Sequence, residues 1–271
     1  FSSHDCHAEI QNNDGFLPLI TLLSSGSVTG KEYAATALLH LSGNVEIREE
    51  IVKCGAIDPL VALLKDQGSE CQSSAIGALS NLAFNEEHAV EIVQKGAISL
   101  LMVLLSKLTS QSDGGVKESV ADLLWRLASY EVNRVEIVKK GTIAPLLELL
   151  REGTGKGKLQ AASALLALAM NAHNKTLIVK QGAIALFISL LRDGCEEAKN
   201  KAAEALEYLS ADVEPMMEML KKDAVAPLVA FLRDGVSDKG KTMAAGALWH
   251  LSTTVESVIE IKEKGGIPPL I

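Results

Sequence analysis

Three short stretches carry residue types that could do chemistry. "HDCH", His4 to His7, gathers two imidazoles, a carboxylate and a thiol within one helical turn. These are zinc-ligand types, but no second ligand pair stands at zinc-site spacing, so the stretch reads as a frayed helical turn. "GTGKGK", Gly153 to Lys158, resembles a phosphate loop. Its last lysine is followed by Leu159 rather than Ser or Thr, and the preceding "PLLELLR" is a helical pattern rather than a strand, so a basic turn between helices is the better reading. Asn174-Lys175-Thr176 has the letters of a glycosylation sequon and nothing more. No Ser/His/Asp or Cys/His set can be singled out. The expectation is a protein that is not an enzyme and holds neither cofactor nor metal.

The composition points to helices. Lys and Arg number 26 against 34 Asp and Glu, a net charge of −8, and a generic nucleic-acid binder needs the opposite balance. Hydrophobic residues make up 48% of the chain while aromatics make up only 4%. A core rich in Leu and Ala suits helix packing on helix better than a sheet. Cys6, Cys54, Cys71 and Cys195 are scattered without a CxxC pair, as expected of reduced thiols inside a cell. No apolar run reaches the roughly 18 residues that cross a bilayer, so no membrane span is expected.

The elements repeat. Pro18, Pro59, Leu100, Pro145, Leu186, Pro227 and Pro269 occupy equivalent places, at steps of 41, 41, 45, 41, 41 and 42 residues. Each period holds the same three helical patterns. A short first helix, such as "EIREEIVK", closes on lysine and glycine, as at Lys95-Gly96 and Lys140-Gly141; lysine favours the negative end of the helix dipole and glycine the left-handed cap. A second helix follows, with proline in its first turn, where the missing N–H does no harm. After a polar loop comes a third helix, such as "EYAATALLHLS" or "KTMAAGALWHLS". Its leucines stand three apart, from Leu38 and Leu41 to Leu248 and Leu251, with Ala34, Ala75, Ala161, Ala202 or Ala244 a turn earlier. Small residues plus a leucine stripe make a face that only a neighbouring repeat can cover.

This grammar, "GAIxPLVxLL" followed by "AAxALxxLS", resembles the armadillo repeat over essentially the whole chain. Among armadillo proteins it is most similar to the arrays of plant U-box ubiquitin ligases and to vacuolar-type armadillo scaffolds. The resemblance implies an all-α, right-handed superhelical solenoid with three helices per repeat. One array of about six repeats is expected, at 14–54, 55–95, 96–140, 141–181, 182–222 and 223–264, with partial units at 1–13 and 265–271. Two departures are visible. The 45-residue step puts extra residues in "SKLTSQSDGGVKE", expected to protrude as a loop. Asp14 and Asp223 replace the turn glycine, so those turns must either hold Asp in the left-handed region or close differently. Both ends cut a unit short, which suggests a piece of a longer protein.

In armadillo proteins the third helices line a concave groove, so the resemblance also implies where a ligand sits. The residue before the second leucine gives one ladder, His40, Asn81, Arg126, Ala167, Tyr208 and His250. One turn earlier lie Thr36, Gly77, Asp122, Ser163, Glu204 and Gly246, with Lys201 a further turn back and Trp125 and Trp249 beside the first ladder. Importin-like relatives carry Asn along the first ladder and Trp along the second; Asn81 alone matches. The expected site is therefore His40, Asn81, Asp122, Trp125, Arg126, Lys201, Glu204, Tyr208, Trp249 and His250, with Arg, Tyr and Trp as anchors. The expected function is a monomeric scaffold binding a protein or extended peptide of mixed charge, and the resemblance to U-box proteins implies substrate recruitment for a ubiquitin ligase. The alternative is an importin-like carrier. A cytoplasmic location, or one shared with the nucleus, is expected.

Overall fold

The computed structural model describes residues 15–65, 69–107, 114–253 and 255–265. All regular structure among them is helical. The "HDCH" stretch, Asp14, Pro269 and the centre of the long polar loop lie outside the described residues. The helices fall into two compact units, Phe1–Thr142 and Ile143–Ile271.

In the first unit, α1 (Phe16–Ser25), α4 (Ile57–Leu63) and α7 (Ala97–Lys107) are second helices. Third helices are α2 (Val28–Leu41), α5 (Ser69–Leu82) and α8 (Gly114–Ala128), and first helices are α3 (Val45–Lys53), α6 (Glu86–Gln94) and α9 (Glu131–Lys139). Helix α5 packs between α2 and α8. The second unit repeats the plan. Its second helices are α10 (Ile143–Glu152), α13 (Ala183–Asp193) and α16 (Val225–Asp234); its third helices are α11 (Gly155–Ala169), α14 (Glu196–Ser210) and α17 (Asp238–Leu251). First helices are α12 (Ala172–Lys180), α15 (Val213–Lys221) and α18 (Val255–Glu263), and α14 packs between α11 and α17.

The core sits where the leucine stripe meets the alanines. Leu38, Leu79, Leu124, Leu165, Leu206 and Leu248 are fully buried, as are Ala34, Ala75, Ala161, Ala202 and Ala244. Burying one such leucine stabilises the fold by about 1.5–3 kcal/mol, and alanine one turn away lets the next backbone come close enough to do it.

Caps set the helix starts. Asn44, Asn85 and Asn171 accept N–H bonds at the beginnings of α3, α6 and α12, and Ser27, Thr154 and Ser237 do so for α2, α11 and α17. The turn between first and second helices is left-handed at Gly55, Gly96, Gly141 and Gly182. Asp223 stands in the same turn at φ 53°. The turn does not close differently around it. Asp223 N–H bonds Leu220 O at 3.2 Å and Ala224 N–H bonds Met219 O at 3.1 Å, matching Gly55 to Val52 and Ala56 to Ile51. The chain thus keeps the closure and accepts the side-chain strain, about 1–2 kcal/mol for an ordinary residue and less for Asp.

Asp223→Gly is expected to raise the urea midpoint, a gain of about 0.5–1 kcal/mol. Gly141→Ala, whose new methyl would touch nothing, is expected to lower it by about 1–2 kcal/mol from dihedral strain alone. Equal midpoints for Gly141→Ala and the parent would show that the turn is not held left-handed.

Candidate protein-binding surfaces

In the first unit the ladder residues divide into two kinds. Asn81 on α5 reaches back to α2: its Nδ2 donates to Leu39 O and to Ser42 Oγ, each at 3.2 Å. Ser42 Oγ in turn donates to Leu39 O at 3.0 Å. The amide nitrogen that would hold a ligand backbone is therefore engaged in clasping two repeats together. Thr36 likewise shares a hydroxyl bond with Ser74 of α5 at 3.0 Å. His40 is exposed.

Arg126 behaves otherwise. Its Nε donates to Asp122 Oδ2 one turn back at 2.8 Å, in a pair whose side chains keep about a fifth of their exposure. The rest of the guanidinium lies over the Phe84 ring, 4.1 Å from its centroid, and 5.6 Å from that of half-buried Trp125. Arg48 of α3 approaches the same ring at 4.7 Å. Tyr130 Oη donates to Phe84 O, and burial, with Glu86 adding to it, pushes the Tyr130 hydroxyl above its ordinary range.

In the second unit, His250 on α17 repeats the clasp. Its Nδ1 lies 2.8 Å from Ser210 Oγ at the end of α14, and Ser210 Oγ donates to Glu207 O at 2.7 Å. A serine beside a histidine invites a catalytic reading. Here the single serine proton is directed at the Glu207 carbonyl, so Nδ1 is the donor and the hydroxyl accepts. The serine is 2% exposed, so the pair is built to join α14 to α17 rather than to attack a substrate. Trp249, next to it, is 71% exposed, with its ring 4.8 Å from that of His250.

Tyr208, half-buried, carries the Lys175 ammonium of α12 over its face at 4.4 Å, and that ammonium meets Asp212 at 2.7 Å. Lys201 pairs with Glu204 at 2.7 Å, and Lys239 of α17 approaches the same carboxylate at 3.9 Å. Ala167 and Ser163 are buried. Among the described residues no group of His, Cys, Asp or Glu is arranged to hold a metal, and no single helix is long and apolar enough to cross a membrane.

The structure thus brings Asp122, Trp125 and Arg126 together in one unit, and Lys201 with Glu204 and Trp249 with His250 in the other. It adds Arg48, Phe84, Lys175 and Lys239, which the ladders alone do not contain. A signal for two of them exists in the sequence: Arg48, Arg134 and Lys175 each stand four residues after the residue that caps a first helix, Asn44, Tyr130 and Asn171. Arg48 and Arg134 both donate back to the end of the preceding third helix, through Ser42 and Gly43 in one case and Ala128 and Ser129 in the other.

The Armadillo/beta-catenin-like repeat pattern matches residues 44–84 and 171–211. The chain carries armadillo repeats. An engineered protein of known structure superposes on it with a TM-score of 0.87 and 27% identity, covering 98% of this chain and 65% of that one. A second engineered protein gives 0.80 and 27%, covering 88% and 97%. A designed armadillo repeat protein in complex with the peptide (KR)4 gives 0.78 and 23%, covering 88% and 99%. No curated protein matches by sequence. The fold is therefore an armadillo-repeat scaffold, all-α with three helices per repeat.

If Asn81 and His250 are clasps, Asn81→Ala and His250→Ala should each lower stability by about 1 kcal/mol, the usual worth of such bonds. Urea denaturation of the two variants reads this directly. Unchanged midpoints would return both residues to the pool of ligand contacts.

Proposed function

We propose that the chain is a protein-interaction scaffold that holds a partner segment on the third-helix faces of its repeats through a few side-chain anchors. One observation carries this reading: Asn81, the single ladder asparagine, has its amide nitrogen bonded inside the protein, while Arg126, Tyr208 and Trp249 keep accessible guanidinium or ring surface. Arg, Tyr and Trp are the residues that dominate interface energies. Opposite charges interleave on both units, Asp122 with Arg126 and Glu204 with Lys201, which favours a partner of mixed charge.

The designed relative bound to (KR)4 supports a peptide as the form of ligand, though not its charge. A lysine-rich signal would face Lys175, Lys201 and Lys239 in the second unit, where Asp212 and Glu204 are already engaged by those lysines. This argues for a scaffold rather than an importin-like carrier. The same reading puts the protein in the cytoplasm, or in cytoplasm and nucleus, recruiting substrates for a ubiquitin ligase, and gives it no catalytic step of its own.

Calorimetry tests it. A lysine-rich nuclear localisation peptide is expected to bind more weakly than about 1 μM. Peptides selected from a random display library are expected to be of mixed charge and to lose about 2 kcal/mol, roughly thirtyfold, when Tyr208 becomes Ala. Tight binding of the lysine-rich peptide would favour the carrier. Selected peptides indifferent to Tyr208→Ala would move the site away from the second unit's third helices.

A further inference from the structure

The group formed by Arg48, Phe84 and Arg126 in the first unit is larger than its structural duties require. Arg48 uses Nε and one Nη2 proton to hold the carbonyls of Ser42 at 2.7 Å and Gly43 at 3.3 Å. Arg134 performs the same duty for Ala128 and Ser129, so capping accounts for one edge of the Arg48 guanidinium only. Its other edge lies with Arg126 against a phenyl ring that is still 56% exposed. Because both guanidinium carbons lie within 4.7 Å and 4.1 Å of one centroid, the two cannot be farther apart than those distances added, under about 9 Å. A carboxylate that accepts from one guanidinium on each of its two oxygens can join guanidinium carbons up to about 9 Å apart.

The charges do not cancel. Among the described residues Asp122 is the carboxylate paired with these arginines, and it meets Arg126 Nε alone. Among them Arg48 has no carboxylate at ion-pair distance, with Glu86 acting on the group only through the neighbouring Tyr130, in a chain whose net charge is −8. Burial first, and the charge of Arg126 second, hold the Arg48 guanidinium below its ordinary value.

We propose that Arg48, Arg126 and Phe84 form a receiving site for one carboxylate side chain of the partner segment, a glutamate or aspartate whose apolar neighbour lies on the phenyl ring. This rests on the scaffold reading and specifies one of its contacts. One guanidinium without a directly paired carboxylate, beside Glu86, matches a singly charged carboxylate better than a doubly charged phosphate. The fork geometry of two guanidinium groups matches its two oxygens. Partial burial makes the pair stronger than one on open surface. The exposed ring supplies the apolar floor that a Glu-Leu or Asp-Leu step would cover.

The test uses the full chain labelled with 15N-arginine and three capped dipeptides, acetyl-Glu-Leu-amide, acetyl-Gln-Leu-amide and acetyl-phosphoSer-Leu-amide, titrated to about 20 mM. The Glu probe is expected to shift the Nε–Hε resonances of both Arg48 and Arg126, with an affinity at least about tenfold above that of the Gln probe. Asp122→Asn, which removes the internal competitor and leaves the helix face otherwise intact, is expected to strengthen Glu binding several-fold. Phe84→Ala is expected to weaken it. No shift at either arginine, or weaker binding in Asp122→Asn, overturns the site. A phosphoserine probe tenfold tighter than the Glu probe overturns the choice of a carboxylate. If the dipeptides fail while selected peptides still depend on Tyr208, the scaffold reading stands and this site falls.

Discussion

Everything in this protein depends on one contact, the leucine and alanine face of a third helix closing against the next third helix. A single repeat of about 40 residues has no core of its own. Fully buried Leu79 acquires cover where Ala34 and Ala75 leave room for close packing in their repeats. The left-handed turns, the Asn and Ser caps and the first-turn prolines serve that contact by fixing where each third helix begins and at what angle it returns. Asp223 shows how firmly the turn is specified, since the chain keeps the glycine closure around a residue that disfavours it.

The same contact decides which ladder residues remain for a partner. Third helices that pack closely bring their exposed edges within hydrogen-bond reach of each other. Where the ladder residue is a donor of the right length and the previous helix ends in serine, the two join, as Asn81 does with Ser42 and His250 with Ser210. Where that serine is replaced by alanine, as at Ala83 and Ala169, the ladder residue one repeat on cannot find such an acceptor. Arg126 is one such residue, and it turns to Asp122 and to the Phe84 ring instead. Cohesion and recognition thus compete for one row of side chains, and the residue ending the previous helix tips the balance.

The period, the caps, the prolines and the leucine stripe were legible in the sequence because each is set by contacts within one repeat or by a rule that repeats unchanged. The candidate site was legible only in part. Helical phase places Asn81, Arg126, Tyr208 and His250 on the edge of the third helix, but phase says nothing about what the neighbouring repeat offers there. Ser42 and Ser210 were visible as letters, yet their role depends on stacking distance. Phe84 has no aromatic counterpart at Gly43, Ser129, Met170, Ala211 or Thr253, so no periodic argument could select it. Arg48 and Lys175 did carry a periodic signal, four residues beyond their helix caps, which an inspection restricted to third helices passes over.

The claim that binding uses the ladder residues left free by the clasps is tested most directly by nuclear magnetic resonance mapping of a selected peptide on the full chain. Shifts should concentrate on third-helix side chains, at Arg126 for a peptide held by the first unit or at Tyr208 and Trp249 for one held by the second, with the Asn81 amide and His250 ring signals retaining their hydrogen-bonded positions. Shifts concentrated on second helices, or release of the Asn81 amide from Ser42 on binding, would contradict the account.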